Sequence, residues 1–474
     1  MKNFWNGFDK EAKLKASVEL QPHQERVKKK LDRSGGLLVY HGLGSGKTLT
    51  SLAATQGEKT DVVVPASLRP NYAKETALHT TGYKPNIMSY EKAVKTPATG
   101  TALVIDEAHS LGDATSRRTQ ALMHKAPQYK KRLLLTATPI RNYPHEIAPI
   151  LRMARGDNKV PTDRKTFDAA FIQEVKKNPN IFAKFFMGAK PSTYYKMKNR
   201  KQFADLAKGY VDYHAPAKED FPSVSHEVVE VPMNQEQEEY YQFVMDKAPM
   251  SVRYKIKRGL PPSKSESKSF TNFLTGARQV ANSTAAFGGT SVSPKINTAV
   301  TRLTAASKKD SNFKGVIYSN FLDSGVKAYA SRLEEEGIPH AVFSGELSDA
   351  ERKKMVQDYN SGKIKALLIS GAGAQGLDLK GTKLVQLIEP HWNDTRMEQA
   401  IGRAVRYKSH THLPEKERHV KVERYHSTVS PGFLKRITGG RDMSVDQYLD
   451  MLSKEKEKLN SQFTDVLKQV GGEP

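Results

Sequence analysis

The segment Leu37–Thr48, with the sequence LLVYHGLGSGKT, constrains the fold of this chain more than any other stretch. Its apolar residues Leu37–Tyr40 predict a short buried strand, the glycines predict a tight loop, and Thr50–Ala54 can open a helix behind that loop. Glycine lets the backbone N–H groups of such a loop turn inward, and a helix N-terminus adds positive potential. The segment is therefore suited to binding phosphate.

The residues that end this loop carry the chemistry of a nucleotide site. We expect Lys47 to reach the β- and γ-phosphates of a nucleotide and the Thr48 hydroxyl to hold Mg²⁺. The general pattern for such loops has glycine at its first position, where this chain has His41. The alternative is a glycine-rich turn that contains Gly-Lys-Thr by chance. The strand before the loop and the helix signals after it favour phosphate binding.

Length and charge limit the kinds of protein that this chain can be. Its 474 residues are enough for two or three domains. Lys and Arg number 75 against 51 acidic residues, and the net charge of +24 predicts a polyanionic partner, most simply nucleic acid. The alternatives are a protein that is merely basic and one that binds membrane phosphates.

Cysteine content and apolar patterning exclude further classes. The sequence contains no cysteine, which excludes disulfide partners and thiolate metal sites. No apolar run approaches the roughly 18 residues that a membrane span needs. The N-terminal residues lack the apolar core of a secretory signal. We therefore expect an intracellular protein with no membrane partner.

Short aliphatic runs alternate with helical stretches in two parts of the chain, as is typical of parallel sheets covered by helices on both faces. The predicted strands are Leu37–Tyr40, Val62–Val64, Leu103–Ile105 and Leu133–Leu135 in the first part, and Val316–Tyr318, Ala341–Phe343, Ala366–Ile369 and Leu384–Ile388 in the second. Between these parts, residues 150–222 are basic and helix-like, and His226–Pro232 alternates as a strand does. The fold class is therefore α/β.

This pattern divides the chain into five predicted segments. Residues 1–19 form a loose lead-in or a short helix, 20–150 the first α/β domain, 151–294 a helical insertion and linker, 295–440 the second α/β domain, and 441–474 an amphipathic C-terminal helix. That last helix is predicted from about Ser444, because its apolar residues keep helical spacing until Gly471.

An acidic motif follows the third predicted strand. Asp106, Glu107, Ala108 and His109 come directly after Ala102–Ile105, in the same predicted sheet as the glycine-rich loop. We expect Asp106 to hold a nucleotide-bound Mg²⁺ through water, and Glu107 to orient and deprotonate the attacking water. The alternative is an acidic strand end that is solvated or caps a helix.

Two further motifs carry hydroxyl and guanidinium groups. Thr136 and Thr138, in LLLTATP, end another strand and could relay between the nucleotide and a second substrate. In QAIGRAVR, Gln399, Arg403 and Arg406 are spaced by four and three residues and share one helix face. Two arginines aimed at one point suit a phosphate whose charge spreads in the transition state, as an arginine finger does. A turn with hydroxyl caps and two solvated arginines are the alternatives.

The order of these motifs resembles the superfamily-two helicases, in which two RecA-like lobes sandwich ATP. LLTATPIRN, EVVEVPMNQEQEEYY and EPHWN are similar to elements of the Swi/Snf-type branch of ATPases. VYHGLGSGKT and the stretch GLDLKGTKLVQLIEPHWNDTRMEQAIGRAVRYKSH resemble helicases of large cytoplasmic DNA viruses, including relatives of the poxviral early transcription factor ATPase subunit. The resemblance implies two RecA-like parallel-sheet lobes with a helical insertion between them and a C-terminal helix.

The resemblance also assigns site residues for ATP and Mg²⁺. It gives adenine recognition to Gln24; phosphate and Mg²⁺ binding to Gly42, Leu43, Gly44, Ser45, Gly46, Lys47 and Thr48; metal and water positioning to Asp106 and Glu107; coupling to Thr136 and Thr138; and the second-lobe site to Gly376, Asp378, Gln399, Arg403 and Arg406. His41 fits the viral branch. Because Ala108 replaces the glycine of the Snf-type motif, nucleosome remodelling is not implied.

Nucleic acid is expected to cross both lobes, with DNA more favoured than RNA. The contacts that the resemblance implies are Ser67, Arg69, Ser89 and Tyr90 in the first lobe, and Ser319, Asn320, Ser344, Gly345 and Ser370 in the second. Small hydroxyls and backbone groups suit phosphate binding, which positions a strand without reading its sequence.

We therefore predict an ATP-dependent nucleic-acid translocase or helicase. One alternative is a viral transcription-initiation or termination ATPase that remodels a polymerase–DNA complex without unwinding. A second is a non-catalytic nucleic-acid-binding structural protein. The resemblance further implies viral transcription or replication machinery as a partner, and host cytoplasm or virion as the location.

Overall fold

The structure is a computed structural model, and it describes most of the chain. The described residues are 13–179, 184–185, 190–215, 221–263, 267–289, 293–344, 347–370, 377–391, 397, 401–402, 404–406, 408–430 and 442–472.

The strands in these residues are numbered in chain order. They are β1 (Lys13–Leu14), β2 (Gly36–His41), β3 (Thr60–Val64), β4 (Thr80–Thr81), β5 (Asn86–Ser89), β6 (Ala102–Ile105), β7 (Lys131–Thr136), β8 (Ile172–Lys177), β9 (Ser192–Met197), β10 (Val211–His214), β11 (Ser223–Pro232), β12 (Gly315–Ser319), β13 (His340–Phe343), β14 (Ala366–Ser370), β15 (Leu384–Leu387) and β16 (His419–Thr428).

Helices occupy most of the intervals between the strands. The α-helices are α1 (Pro22–Ser34), α2 (Lys47–Ala54), α3 (Arg69–His79), α4 (Tyr90–Lys95), α5 (Arg117–Lys125), α6 (Ile147–Arg155), α7 (Arg164–Phe171), α8 (Arg200–Ala207), α9 (Gln235–Asp246), α10 (Met250–Arg258), α11 (Ser267–Asn282), α12 (Pro294–Lys309), α13 (Ala328–Glu335), α14 (Asp349–Asn360) and α15 (Val445–Gly471). A π-helical turn, Leu322–Lys327, precedes α13.

The chain divides into two compact units, and neither is a single stretch of the sequence. Unit 1 comprises Met1–Gln173, Tyr195–Ala217 and Lys456–Pro474. Its central sheet has the strand order β10-β2-β7-β6-β3-β5, and every neighbouring pair is parallel. Parallel strands place all their carboxyl ends at one edge, so the segments that follow β2, β3, β6 and β7 meet there. We call this side the carboxyl edge of the sheet.

Unit 2 comprises Glu174–Tyr194 and Lys218–Glu455. Its sheet has the order β11-β16-β15-β12-β14-β13, again with only parallel pairs. The central strands β12, β14 and β15 are aliphatic and almost entirely buried, because both faces of the sheet are covered.

The predicted fold class and all of the predicted aliphatic strands are confirmed. The prediction of helix across residues 150–222 is wrong for three stretches, because β8, β9 and β10 lie there and β10 joins the sheet of unit 1. Strands β5 and β16 were also not predicted. They carry polar residues and no continuous aliphatic run, so the sequence pattern does not mark them.

The predicted C-terminal helix is confirmed as α15, which continues to Gly471. In unit 1 its residue Phe463 is fully buried, and its ring lies 5.1 Å from that of Phe203 and 5.9 Å from that of Phe167, centroid to centroid. The last turns of the chain thus complete the core of the unit that also contains its first helices. Among the described residues, every helix is too short or too polar to span a bilayer.

We expect Phe463→Ala to lower the free energy of unfolding of unit 1 by about 3–5 kcal/mol, because truncating a buried phenylalanine loses its transfer free energy and leaves a cavity. Native-state hydrogen exchange of the amides in β2 and β7 would measure the change. Glu457→Ala, at an exposed position of the same helix, is the matched control and should change it by less than about 0.5 kcal/mol. Unchanged exchange in Phe463→Ala would contradict the packing of Phe463 against Phe167 and Phe203.

Candidate nucleotide site

A glycine loop, Gly42–Gly46, connects the carboxyl end of β2 to the first residue of α2, Lys47. Gly44 and Gly46 have φ angles of +77° and +70°, in the left-handed region that glycine adopts without strain. The Lys47 ammonium donates hydrogen bonds to the carbonyl oxygens of Gly42, at 3.1 Å, and His41, at 3.3 Å. The predicted strand, loop and helix are therefore confirmed.

Helix α1 lies against this loop through Gln24, the residue to which the resemblance assigns adenine recognition. The Gln24 amide is buried, and its Nε2 lies 3.4 Å from the carbonyl oxygen of Gly46. A Cβ atom at Gly46 would lie 2.7 Å from the same nitrogen, so a larger residue at this position would displace the Gln24 amide. Within the loop, the Leu43 side chain is 45% exposed, whereas the Ser45 hydroxyl is buried and has no hydrogen-bond partner in the described structure.

The acidic turn, Asp106–Glu107, follows β6 at the same edge of the sheet. Glu107 has φ 53° and ψ 46°, a left-handed conformation that strains a residue with a side chain and is often found at functional sites. The Tyr90 hydroxyl stabilises it by donating to the carbonyl oxygens of Asp106, at 2.5 Å, and Glu107, at 3.1 Å. The Glu107 N–H donates to the Asp106 carboxylate, at 2.9 Å.

Burial and neighbouring charge perturb the ionisable groups of this site. Burial, followed by the charge of Glu107, raises the pKa of Asp106 to about 6. Burial lowers the pKa of Lys47, while the carboxylates of Glu107 and Asp106 oppose that shift. Two carboxylates and an ammonium thus interact in a poorly hydrated place. Oxygen donors of this kind suit a magnesium ion, whose charge would favour the deprotonated form of Asp106.

His109 joins the acidic turn to the end of β7. Its Nδ1 lies 2.9 Å from the Thr136 hydroxyl and 3.3 Å from a Glu107 carboxylate oxygen, and its Nε2 contacts the Arg141 guanidinium. Burial, followed by the charge of Arg141, lowers the pKa of His109 to about 3, so the ring is neutral near pH 7. An arginine cannot accept a hydrogen bond, which places the ring proton on Nδ1. Thr136 and Thr138 are the two residues predicted to couple the nucleotide to a second substrate. The Thr138 backbone N–H donates a hydrogen bond to the Thr136 hydroxyl.

Unit 2 brings two of its predicted site residues together. The Arg406 guanidinium lies 3.5 Å from the Asp378 carboxylate, with exposed fractions of 32% and 61%. Four predicted residues lie outside the described part of the chain. Gly376, Gln399 and Arg403 belong to the predicted second-lobe site, and Gly345 belongs to the predicted nucleic-acid contacts.

The predicted nucleic-acid contacts fall into two groups. Ser67 and Arg69 are exposed just after β3 in unit 1. The partly buried Ser89 caps α4 by accepting from the Lys92 N–H at 3.3 Å. In unit 2, Asn320, Ser344 and Ser370 are partly buried at strand ends.

The prediction that the side chains of Tyr90 and Ser319 contact nucleic acid is wrong, because both side chains are buried and hydrogen-bonded inside the protein. Tyr90 stabilises the acidic turn, and Ser319 donates to the buried carboxylate of Glu389. Neither side chain is available for direct contact with nucleic acid in this structure.

Sequence reasoning missed several residues around the site. Arg141 lies inside the motif LLTATPIRN, and its position two residues after Pro139 is the signal that could have identified it. His23 adjoins Gln24, and its Nε2 lies 2.9 Å from the Ser45 carbonyl oxygen. Asp212 contacts His41 from 171 residues away, and no local pattern marks that pairing.

We expect Asp106→Asn to stabilise unit 1 near neutral pH. The folded protein holds the Asp106 proton more tightly than the unfolded chain, because folding raises the pKa from 3.8 to about 6. The charged carboxylate therefore destabilises the fold above about pH 6, and this effect fades as the pH falls toward 4. The shift of about two units corresponds to a gain of up to roughly 3 kcal/mol at about pH 7.5.

Hydrogen exchange without nucleotide or Mg²⁺ measures this gain, which should be about 1 kcal/mol smaller at about pH 5. Glu25→Gln, an exposed substitution in α1, is the control and should have no such pH-dependent effect. Equal or lower stability of Asp106→Asn near neutral pH would show that the carboxylate is not destabilising.

Comparison with known proteins agrees with this geometry. Residues 66–286 match the family described as SNF2-related domain, and residues 295–408 match the helicase conserved C-terminal domain. The chain is 30% identical to a putative ATP-dependent RNA helicase, L538, of Acanthamoeba polyphaga mimivirus, over 95% of this chain and 97% of the relative. It is 24% identical to a termination factor NPH-I homolog of African swine fever virus, over 93% of this chain and 76% of the relative.

Among solved structures, the chain is similar to the Pyrococcus furiosus Hef helicase domain, with a sequence identity of 14% and a TM-score of 0.47. The match covers 85% of this chain and 95% of that chain. The full-length similarity to the mimivirus protein and the two family matches together establish the family. The chain belongs to the SNF2-related helicases and is a helicase-family ATPase that acts on a nucleoside triphosphate and a nucleic acid.

Proposed function

We propose that this ATPase is a translocase that moves along nucleic acid, DNA in preference to RNA, with Mg²⁺ as its metal cofactor. The observation that carries the proposal is the convergence of Lys47, Asp106 and Glu107 at the carboxyl edge of one parallel sheet. Two loops that are about 60 residues apart in sequence supply the phosphate-binding and water-activating groups of a nucleotide hydrolase.

Each group in unit 1 has a proposed role. The backbone N–H groups of Gly42–Gly46 and the Lys47 ammonium bind the phosphates, with Gln24 at the adenine. Thr48 and Asp106 hold Mg²⁺, which neutralises charge on the phosphate oxygens when bound. Glu107 orients a water molecule and accepts its proton, and the neutral His109, whose Nδ1–H donates to the Thr136 hydroxyl, lies 3.3 Å from the Glu107 carboxylate.

In unit 2, the arginines proposed to bind phosphate stay Arg403 and Arg406, and Gln399, Gly376 and Asp378 stay the other proposed residues of this site. The exposed Asp378 gives Arg406 a weak partner that a phosphate group can replace.

The proposed nucleic-acid contacts are those that the structure leaves accessible. In unit 1, Ser67 and Arg69 are exposed and Ser89 is partly accessible, and in unit 2 Asn320, Ser344 and Ser370 are partly accessible. Hydroxyl and guanidinium groups bind phosphate without reading bases, which suits movement along any sequence. The net charge of +24 adds a salt-dependent attraction.

A second candidate is a viral transcription-termination ATPase that remodels a polymerase–DNA complex without separating strands. The similarity to the termination factor NPH-I homolog favours it, over 93% of this chain. Because the similar proteins are viral, we place either activity in infected host cytoplasm or in the virion.

ATPase measurements with single- and double-stranded DNA and RNA, beside a strand-displacement assay, test which nucleic acid stimulates hydrolysis and whether the strands separate. Stimulation by duplex DNA with displacement supports a helicase, and stimulation without displacement supports a translocase or the termination ATPase. Stimulation by RNA alone would overturn the preference for DNA. Nucleic-acid binding without ATP hydrolysis would support the structural-protein alternative instead.

We expect Lys47→Ala and Glu107→Gln each to lower the nucleic-acid-stimulated kcat by at least about a hundredfold, because each removes charge stabilisation or proton transfer at the phosphate. Glu107→Gln should retain ATP binding, whereas Lys47→Ala should lose most of it. Lys84→Ala and Glu334→Gln, both at exposed positions, are the matched controls. The proposed mechanism is wrong if either site variant hydrolyses ATP at the rate of the native protein.

We expect Arg69→Ala to weaken binding to all duplex sequences alike and to reduce the slope of log affinity against log salt by about one, because one phosphate contact is lost. Fluorescence anisotropy at several salt concentrations measures both effects. Arg33→Ala is the control. Arg33 is exposed near the end of α1, beside the start of β2, and therefore lies at the edge of the sheet opposite to the carboxyl edge. An equal effect of both substitutions would place the strand elsewhere.

A further inference from the structure

Asp212 is a fully buried carboxylate at the edge of the central sheet of unit 1. It lies in β10, whose parallel pairing with β2 sets Asp212 opposite Val39 and His214 opposite His41. The Gly42 N–H donates to the His214 carbonyl oxygen at 2.9 Å, so the backbone of β10 continues to contact the chain where the glycine loop begins.

Three side chains from two other elements converge on this carboxylate. Arg26 of α1 donates from Nε, at 2.8 Å, and from its terminal nitrogen, at 3.1 Å, in a bidentate pair. Lys30, one turn later on α1, lies 2.8 Å away, and His41 Nε2 lies 2.7 Å away. Hydrogen bonds from His41, Arg26 and Lys30 outweigh burial and hold the pKa of Asp212 well below its usual range.

The contact with His41 fixes the state of that ring. Burial lowers the pKa of His41, so the ring is neutral near pH 7. An ionised carboxylate only accepts hydrogen bonds, and the ring proton therefore lies on Nε2, directed at Asp212. His41 occupies the position at which the general loop pattern has glycine. At this position the chain therefore carries a side chain that ties the start of the loop to β10.

Helix α1 is held to the loop by the same carboxylate. Arg26 and Lys30 are close in sequence to Gln24, which contacts Gly46, and to His23, which contacts Ser45. The His23 ring also stacks on that of His214, with centroids 3.9 Å apart. A change at Asp212 would therefore shift the proposed adenine-binding helix relative to the proposed phosphate-binding loop.

We propose that Asp212 is a positioning residue for nucleotide binding: through His41 and Arg26 it sets the distance between the glycine loop and Gln24. The inference rests on the proposed binding of nucleotide at this loop. It goes further by assigning base selectivity to a buried carboxylate that does not touch the nucleotide. Loss of Asp212 then weakens nucleotide binding and the preference for adenine, and leaves kcat less affected.

Asp212→Asn keeps the size of the side chain but removes its charge and turns one acceptor into a donor, which opposes the donors of Arg26 and Lys30. For Asp212→Asn we expect the dissociation constant of fluorescent ATP to rise about tenfold. The ratio of the affinity for ATP to the affinity for GTP should fall about threefold. In a His41→Gly background the effect of Asp212→Asn should be about threefold smaller, because residues in one network are coupled.

Asp61→Asn is the matched control, because Asp61 is also a buried carboxylate of this sheet. It lies near the start of β3, at the opposite edge from the loop, and accepts hydrogen bonds from Thr99, Asn86 and Tyr129. Both variants should lose thermal stability, and only Asp212→Asn should change nucleotide affinity. If Asp212→Asn does not fold, Arg26→Gln, at a partly exposed position, should shift ATP affinity and base preference in the same direction.

The outcomes separate this inference from the proposed function. If native protein binds ATP, Lys47→Ala does not, and Asp212→Asn binds as native protein does, the inference is overturned and the proposed function stands. An equal loss of affinity in Asp61→Asn would also overturn it, since a general loss of stability would then explain both. If Lys47→Ala binds ATP as tightly as native protein, the proposed function itself fails.

Discussion

Parallel hydrogen bonding of β2 to two neighbours, β7 and β10, is the constraint on which the candidate site depends. A central strand with partners on both sides cannot shift its register without breaking both ladders and moving its buried side chains to the wrong face. The glycine loop therefore leaves the sheet at a fixed point. Because β6 and β7 run in the same direction, the acidic turn and the Thr136 hydroxyl reach the same edge. The chemistry of the site follows from strand direction before any side-chain contact is considered.

Much of this could be predicted from sequence, because its signals are local. Aliphatic runs mark the central strands, and glycine next to Lys47 marks a loop followed by a helix. The acidic residues after Ile105 are informative because they follow a predicted strand of the same sheet. Each of these signals lies within about ten residues, which is the range over which pattern reasoning works.

The features that were missed depend on contacts between distant residues. Strand β10, with the sequence VDYH, is short, contains a carboxylate, and lies at the sheet edge, so nothing local distinguishes it from a loop. Strand β16 carries charges that its neighbours compensate, since Arg302 pairs with both Glu423 and Glu227. The resemblance implies that Tyr90 contacts nucleic acid, and only the packed structure shows that Tyr90 is 3% exposed. The sequence identifies which polar side chains are present, but the packing of distant segments determines whether each side chain is buried or exposed.

Both units stabilise segments at strand ends with one buried carboxylate, but the two carboxylates have different partners. Asp212 is surrounded by the cationic groups of Arg26 and Lys30, so the loss of one partner leaves a charge that the others still compensate. Glu389, at 1% exposure, accepts from the Ser319 hydroxyl, the Asn320 amide and the Asn282 amide, and its carboxylate also interacts with the buried guanidinium of Arg278. A buried carboxylate that loses a donor is left with an unmet acceptor, so each of these hydrogen bonds helps to hold the end of β12. Both segments are therefore held in the same way, by a buried acceptor that gathers donors from parts of the chain that are distant in sequence.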